Sequence, residues 1–326
     1  MNRPVSHPRR YKRRRKRKSP ITIMIVLFCL ALLSYVVYAA TIAGSDDSSG
    51  ADGYVFIQPA LPVLAEEYVS NQQYLCAQQD YVLDEVYETT NKLTFNQLAS
   101  MSNDHLLLVN DEYAVPANIA SNMVRLSNYV QSLNPDMLLN EDVLNMLRVM
   151  FNSAAGEGFT QFRVTQAFRT HEYQQRLYDS MAGTGLAARP GHSEHQVGLA
   201  VDISYEGVNI GNSREGSWLM NYSYRYGFIF RYPEHKTDVT RVPFEPWHYR
   251  YVGQPHAYFM RQRDFVLEEY IEYLRRNREV VISFSGMTFR VVYLLDADET
   301  VEIPEGYTFM TSRDNTGGVI VTIWAR

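Results

Sequence analysis

The chain has 326 residues, 46% hydrophobic and 21% charged, which excludes a disordered or collagen-like polymer and leaves room for one large domain with appendages or two modest ones. Its formal net charge of −5 conceals a sharp division: ten Lys and Arg and no acid fall in residues 1–18, leaving 21 basic against 36 acidic residues beyond them. With only two cysteines, Cys29 and Cys76, a disulfide-stapled scaffold is excluded, so the fold rests on its own core or on a metal.

Behind the basic block, ITIMIVLFCLALLSYVVYAA (21–40) runs for twenty residues without a charge. As a helix it rises about 30 Å, enough to cross a hydrocarbon core. Basic flanks stay cytoplasmic, so 1–20 reads as a cytoplasmic tail, 21–43 as a transmembrane signal-anchor, and the remainder as the extracytoplasmic part of a bacterial membrane protein. A cleavable signal peptide is the competing reading, with Thr41-Ile42-Ala43 and Val37-Tyr38-Ala39 as cleavage sites. No nucleic-acid partner is expected, because a basic block directly before an apolar span is a topology signal with affinity for anionic lipid.

Residues 44–100 read as a tether, GSDDSSGADG (44–53), followed by a helical stalk. The main domain is placed at 101–258. It begins with HLLLVNDEYAVP (105–116), a short apolar run then turn residues and Pro116 that reads as a strand or extended segment, and continues with an amphipathic helix over 140–158 that Asn140 caps and the Gly156/Gly158 pair ends. A strand over 162–168 delivers Arg169, a helix covers 171–181, and the Gly-rich stretch 183–196 is a loop. LAVDIS (199–204) reads as a buried strand, 217–230 as a helix then a strand, and 231–253 as a loop leading into an extended segment. The last part, 259–326, reads as one charged helix over 259–277 and a small antiparallel β unit from VVISF, FRVVYLL, YTFMTS and VIVTIW. The fold class is α+β.

Two short stretches carry the chemistry. SEHQVGLAVD supplies His195 and Asp202, and FEPWH supplies Glu245 and His248. Two imidazoles and one carboxylate hold a zinc ion (Zn2+) by three contacts and leave a fourth position for water, whose proton a second carboxylate can take. Alone, a loop histidine and a strand-end aspartate are ordinary surface residues. Asp202, however, has apolar neighbours on both sides, and a carboxylate there is costly unless paired or metal-bound. Pro246 keeps Glu245 out of a helix, so this is not a helix-borne HExxH site. His192, His235 and His256 remain fallback ligands, whereas His105 and His171 have no local partner. Arg169 is placed to hold a carboxylate by two parallel bonds, with Gln174 and Ser193 adding neutral ones.

AFRT, PGHSEHQVGLAVDIS, the RYP at 231–233 and EPWHYRYVG, in this order and spacing, resemble the VanY-type D-alanyl-D-alanine carboxypeptidases, zinc peptidases of bacterial cell-wall metabolism. The likeness runs from about residue 106 to 253. It implies His195, Asp202 and His248 as zinc ligands and Glu245 as general base. Arg169, Gln174 and Ser193 would surround the terminal D-alanine carboxylate of a peptidoglycan stem peptide, and Arg169 would also stabilise the oxyanion. The fold it implies is the one shared with Hedgehog-type zinc domains. An L,D-carboxypeptidase acting on tetrapeptide stems keeps the same chemistry. A non-catalytic zinc-bearing cell-wall-binding module is a different class, and Glu245 is the residue that argues against it.

Overall fold

The structure, a computed structural model, describes residues 90–325 apart from 118, 120, 121, 127, 128, 185 and 186. The expected cytoplasmic tail, signal-anchor and tether lie outside the described residues, as does the stalk up to residue 89. Among the described residues no helix is long and apolar enough to cross a membrane.

In chain order the elements are β1 (Thr90–Thr94), α1 (Phe95–Ser100), β2 (Met123–Arg125), β3 (Leu138–Asn140), α2 (Glu141–Gly156), β4 (Phe162–Gln166), α3 (His171–Ser180), β5 (Ala200–Tyr205), α4 (Arg214–Tyr222), β6 (Phe228–Phe230), α5 (Thr237–Thr240), β7 (His248–Tyr251), α6 (Gln254–Arg263), α7 (Leu267–Asn277), β8 (Glu279–Phe284), β9 (Met287–Leu294), β10 (Thr300–Pro304), β11 (Tyr307–Arg313) and β12 (Val319–Ala325). Among the described residues the strands form four antiparallel sheets, the two largest ordered β4-β5-β7-β6 and β11-β12-β9-β8. The expected α+β class holds.

Helix α2 starts where Asn140 accepts hydrogen bonds from the amides of Asp142 (2.9 Å) and Val143 (3.4 Å), satisfying donors the first turn leaves free. Its apolar stripe, Val143, Leu144, Leu147, Met150 and Ala154, joins one core cluster with Val164 of β4, Val201 and Ile203 of β5 and Tyr249 of β7. Each of the Val, Leu, Ile and Met side chains among these contributes about 1.5–3 kcal/mol by leaving water. The sheet that bears the site is therefore backed by a rigid helix.

Two expectations are corrected. The helical stalk gives way over Thr90–Thr94 to β1, which pairs antiparallel with β10, a strand the sequence reading did not include. Leu98 of α1 then packs with Val301, Ile303, Val321 and Ile323, so the approach to residue 101 belongs with the C-terminal β unit. The single helix over 259–277 is two, because Asp264 adopts φ 52 and the Phe265 amide closes on the Met260 carbonyl at 2.9 Å. Helix α7 restarts with the Val266 amide donating to the Glu269 carboxylate at 3.0 Å.

The strand or extended segment expected at 105–116 joins no named strand: His105 and Leu106 lie in a turn and 110–113 bend, with 107–109 between them. Leu107 and Val109 face the core of the β4–β7 sheet, while Leu106 and Leu108 face the core of α6, α7, β8 and β9. Period-two alternation here makes the segment a wall shared by two cores. Its carbonyls at His105 and Leu107 accept from Arg250 of β7, at 3.1 and 2.8 Å.

Candidate metal centre

Strands β5 and β7 are antiparallel neighbours in a register that sets Asp202 opposite His248, and on the other flank β4 sets Gln166 opposite Asp202. Directly opposed residues in an antiparallel pair share a face, so these side chains make a row across the sheet. His195 reaches the row from a single turn of 3-10 helix, Glu194–Gln196, just before β5. The return into β5 needs a left-handed residue, and Gly198 supplies it at φ 78. One ligand atom from each of His195, Asp202 and His248 lies within 4.8 Å of the others, and all three side chains are buried.

The hydrogen bonds decide which imidazole nitrogens are available. His195 Nδ1 donates to the Ala167 carbonyl at 2.9 Å, leaving Nε2 3.3 Å from Asp202 Oδ1. His248 Nε2 donates to Glu194 Oε2 at 3.2 Å, and its Nδ1 lies 3.1 Å from the same Asp202 oxygen. Two nitrogens and one oxygen, each imidazole steadied through its far nitrogen, fit a zinc ion by donor chemistry.

Burial, reinforced by Arg169, pushes His195 down to about 4, so it is neutral at pH 7 as a metal ligand must be. His248 behaves oppositely. Burial would lower it, but hydrogen bonds to Asp202 and Glu194 push it up to about 9. Asp202, whose burial would raise it, is held well below the usual carboxylate range by the two histidines. A metal must therefore displace a proton from His248 Nδ1. Zinc affinity is expected to weaken as pH falls below about 9, with proton release on zinc binding near neutrality. Calorimetry in buffers of differing ionisation enthalpy reads both, and a pH-independent affinity without proton release contradicts this account.

Glu245 sits before β7 with Oε2 3.7 Å from His248 Nδ1. Burial, opposed by His248 and reinforced by Asp202, pushes its carboxyl up to about 7, near the operating range of a general base. Arg169 follows β4. Its Nη2 lies 3.5 Å from Asp202 Oδ2, Nη1 lies 3.3 Å from Gln174 Oε1, and Nε lies 3.4 Å from Gln166 Oε1. These long contacts leave the guanidinium capacity for another acceptor. Gln174 is fully buried and its amide donates to the Ala188 carbonyl at 2.7 Å, so it braces Arg169. Ser193, also buried, directly precedes the turn that carries His195. The other histidines are placed elsewhere: His192 on the Asn110 carbonyl, His235 on Asp264, and His256 between Tyr270 and Thr322.

Behind the candidate ligands lies a layer that the sequence reading did not single out. Glu194 is buried, and its Oε1 accepts from Arg231 Nε at 2.8 Å and Arg250 Nη1 at 2.9 Å while Oε2 receives His248. Burial would raise this carboxyl, but the two guanidiniums outweigh it and hold it well below the ordinary range. Both arginines are fully buried. Removing one partner from such a set costs about 3–5 kcal/mol, because an uncompensated charge stays behind. A signal was available: Arg250 lies two residues past His248 on the same strand face, and Glu194 is the carboxylate beside the candidate ligand.

A family model described as VanY, D-alanyl-D-alanine carboxypeptidase, matches residues 136–254. A D-alanyl-D-alanine carboxypeptidase of Enterococcus faecium is 30% identical over 307 residues, 91% of this chain and 96% of that protein. The chain belongs to the VanY family of D-alanyl-D-alanine carboxypeptidases. As a member of this family it is an enzyme. A putative carboxypeptidase, YodJ of Bacillus subtilis (strain 168), is 34% identical over 187 residues, covering 52% of this chain and 68% of that protein. Among solved structures, the vancomycin resistance D,D-dipeptidase VanXYg in complex with a D-Ala-D-Ala phosphinate analogue superposes with a TM-score of 0.63 at 28% identity. It covers 72% of this chain and 98% of its own, so the likeness extends beyond residues 136–254.

Proposed function

We propose that this chain is a membrane-anchored zinc carboxypeptidase that removes the terminal D-alanine from peptidoglycan stem peptides outside the cytoplasmic membrane. The observation that carries the reading is the convergence of His195, Asp202 and His248, with Glu245 3.7 Å from His248 Nδ1. The substrate class follows from family membership and from the D-Ala-D-Ala analogue that the similar dipeptidase binds. The anchor rests on the ten basic residues in 1–18 followed by twenty uncharged ones at 21–40.

His195 Nε2, Asp202 and His248 Nδ1 would hold the metal. When bound, zinc polarises the scissile carbonyl and lowers the pKa of water toward neutrality. Arg169, braced by Gln174, receives the substrate's terminal carboxylate through charge-assisted bonds and so fixes which peptide bond faces Glu245. Glu245 takes the proton from the attacking water and returns it to the leaving D-alanine amine. Its carboxyl, pushed up to about 7, suits both transfers.

Zinc-loaded full-length chain incubated with pentapeptide and tetrapeptide muropeptides tests the reading. Release of one D-alanine from the pentapeptide is the expected result. Release from the tetrapeptide alone transfers the enzyme to the L,D class, and no release from either ends the proposal.

A further inference from the structure

Helix α7 lies outside the segment matched by the family model, yet its Glu268 touches the layer behind the metal ligands. Glu268 grips Arg231 bidentately, Oε2 accepting from Nη1 at 2.8 Å and Oε1 from Nη2 at 2.7 Å. Arg231 Nε donates to Glu194, and the other oxygen of Glu194 receives the Nε2 proton of His248. Three contacts thus join a helix of the C-terminal extension to a candidate zinc ligand.

Charge balance gives the chain of contacts its force. Arg231 and Arg250 are fully buried and converge on one oxygen of Glu194. With Glu268 present, two guanidiniums face two carboxylates. Without it, a surplus positive charge sits one residue behind His248, where it draws Glu194 away from the imidazole and repels a bound dication. We infer that Glu268 is a positioning residue of the metal site, acting through Arg231 and Glu194 to orient His248 and keep it electron-rich. This rests on the zinc reading above.

The surroundings of Glu268 make the inference testable by chemical rescue. Its side chain retains 15% exposure and lines a cavity of about 240 Å³ with Asn110, Tyr113, Arg241 and Arg275. A small carboxylate can therefore reach the place that Glu268→Ala vacates. In full-length protein, zinc affinity measured by chelator competition is expected to fall about tenfold in Glu268→Ala, within the range seen for outer-shell partners. Glu268→Gln, which keeps an acceptor but no charge, falls between the two. Formate restores Glu268→Ala toward wild type and leaves wild type unchanged.

Zinc affinity in Glu268→Gln and Glu268→Ala equal to wild type overturns the inference. So does a loss in Glu268→Ala that formate does not recover, since that marks general damage to the fold. If Glu268→Ala does not fold, Glu268→Gln alone decides: weakened zinc binding supports positioning, and unchanged binding overturns it. Wild type failing to bind zinc is a separate outcome, which ends the metal reading itself.

Discussion

Glu245→Ala is expected to bind zinc as tightly as wild type while kcat falls by about 10²–10⁴-fold, the range that a positioned general base contributes. The geometry separates these effects. Glu245 stands 3.7 Å from His248 Nδ1 and is not among the three clustered ligands, so its loss leaves the ligand set and the Glu194 support intact. Metal content by mass spectrometry and D-alanine release on the same preparation read the two quantities together. Turnover near wild type would end the assignment of Glu245 as base. Only the carboxylate form of Glu245 can accept a proton, and burial raises this carboxyl in the metal-free protein, so kcat/KM in wild type should rise with pH as the carboxylate forms. A Glu245→Gln variant should lose that limb of the profile with its activity.

Asp202→Ala is expected to remove both zinc and turnover, with an affinity loss exceeding the roughly 10–100-fold attributed to outer-shell partners. Asp202 Oδ1 lies 3.3 Å from His195 Nε2 and 3.1 Å from His248 Nδ1, and its loss leaves two imidazoles with no anion between them. The same carboxylate supports the raised pKa of His248. The variant's histidine should therefore titrate lower in metal-free protein, which NMR of the imidazole carbons can follow. Zinc retained at wild-type affinity in Asp202→Ala would exclude Asp202 as a ligand.

The clustering of the candidate donors was legible because they sit in two short motifs, and the strand register turns that spacing into proximity: LAVDI made β5, and β7 met it with Asp202 facing His248. Helix α2 was legible to its cap because apolar period and capping residue agreed. The outer layer escaped because, although Glu194 adjoins His195 and Arg250 follows His248 by two, the contacts that join residues 194, 231, 250 and 268 are all long-range. Strand β1 escaped for a related reason. TNKLT offers one apolar residue, Leu93, and becomes a strand only through β10. The break at Asp264 had no Gly or Pro to announce it; Asp264 itself takes the left-handed φ of 52.

The pairing of β1 with β10 also governs the order in which the molecule can be completed. Of the described strands β1 emerges first from the ribosome, and its partner arrives only after the whole sheet that carries Asp202 and His248 has been made. Until then β1 is an unpaired edge, open to wrong partners. Its ladder spans nearly the full described length, so closing it is a slow, non-local step. A chain interrupted before Thr300 would lack β10 and leave β1 unmatched, however well the sheet around Asp202 had formed.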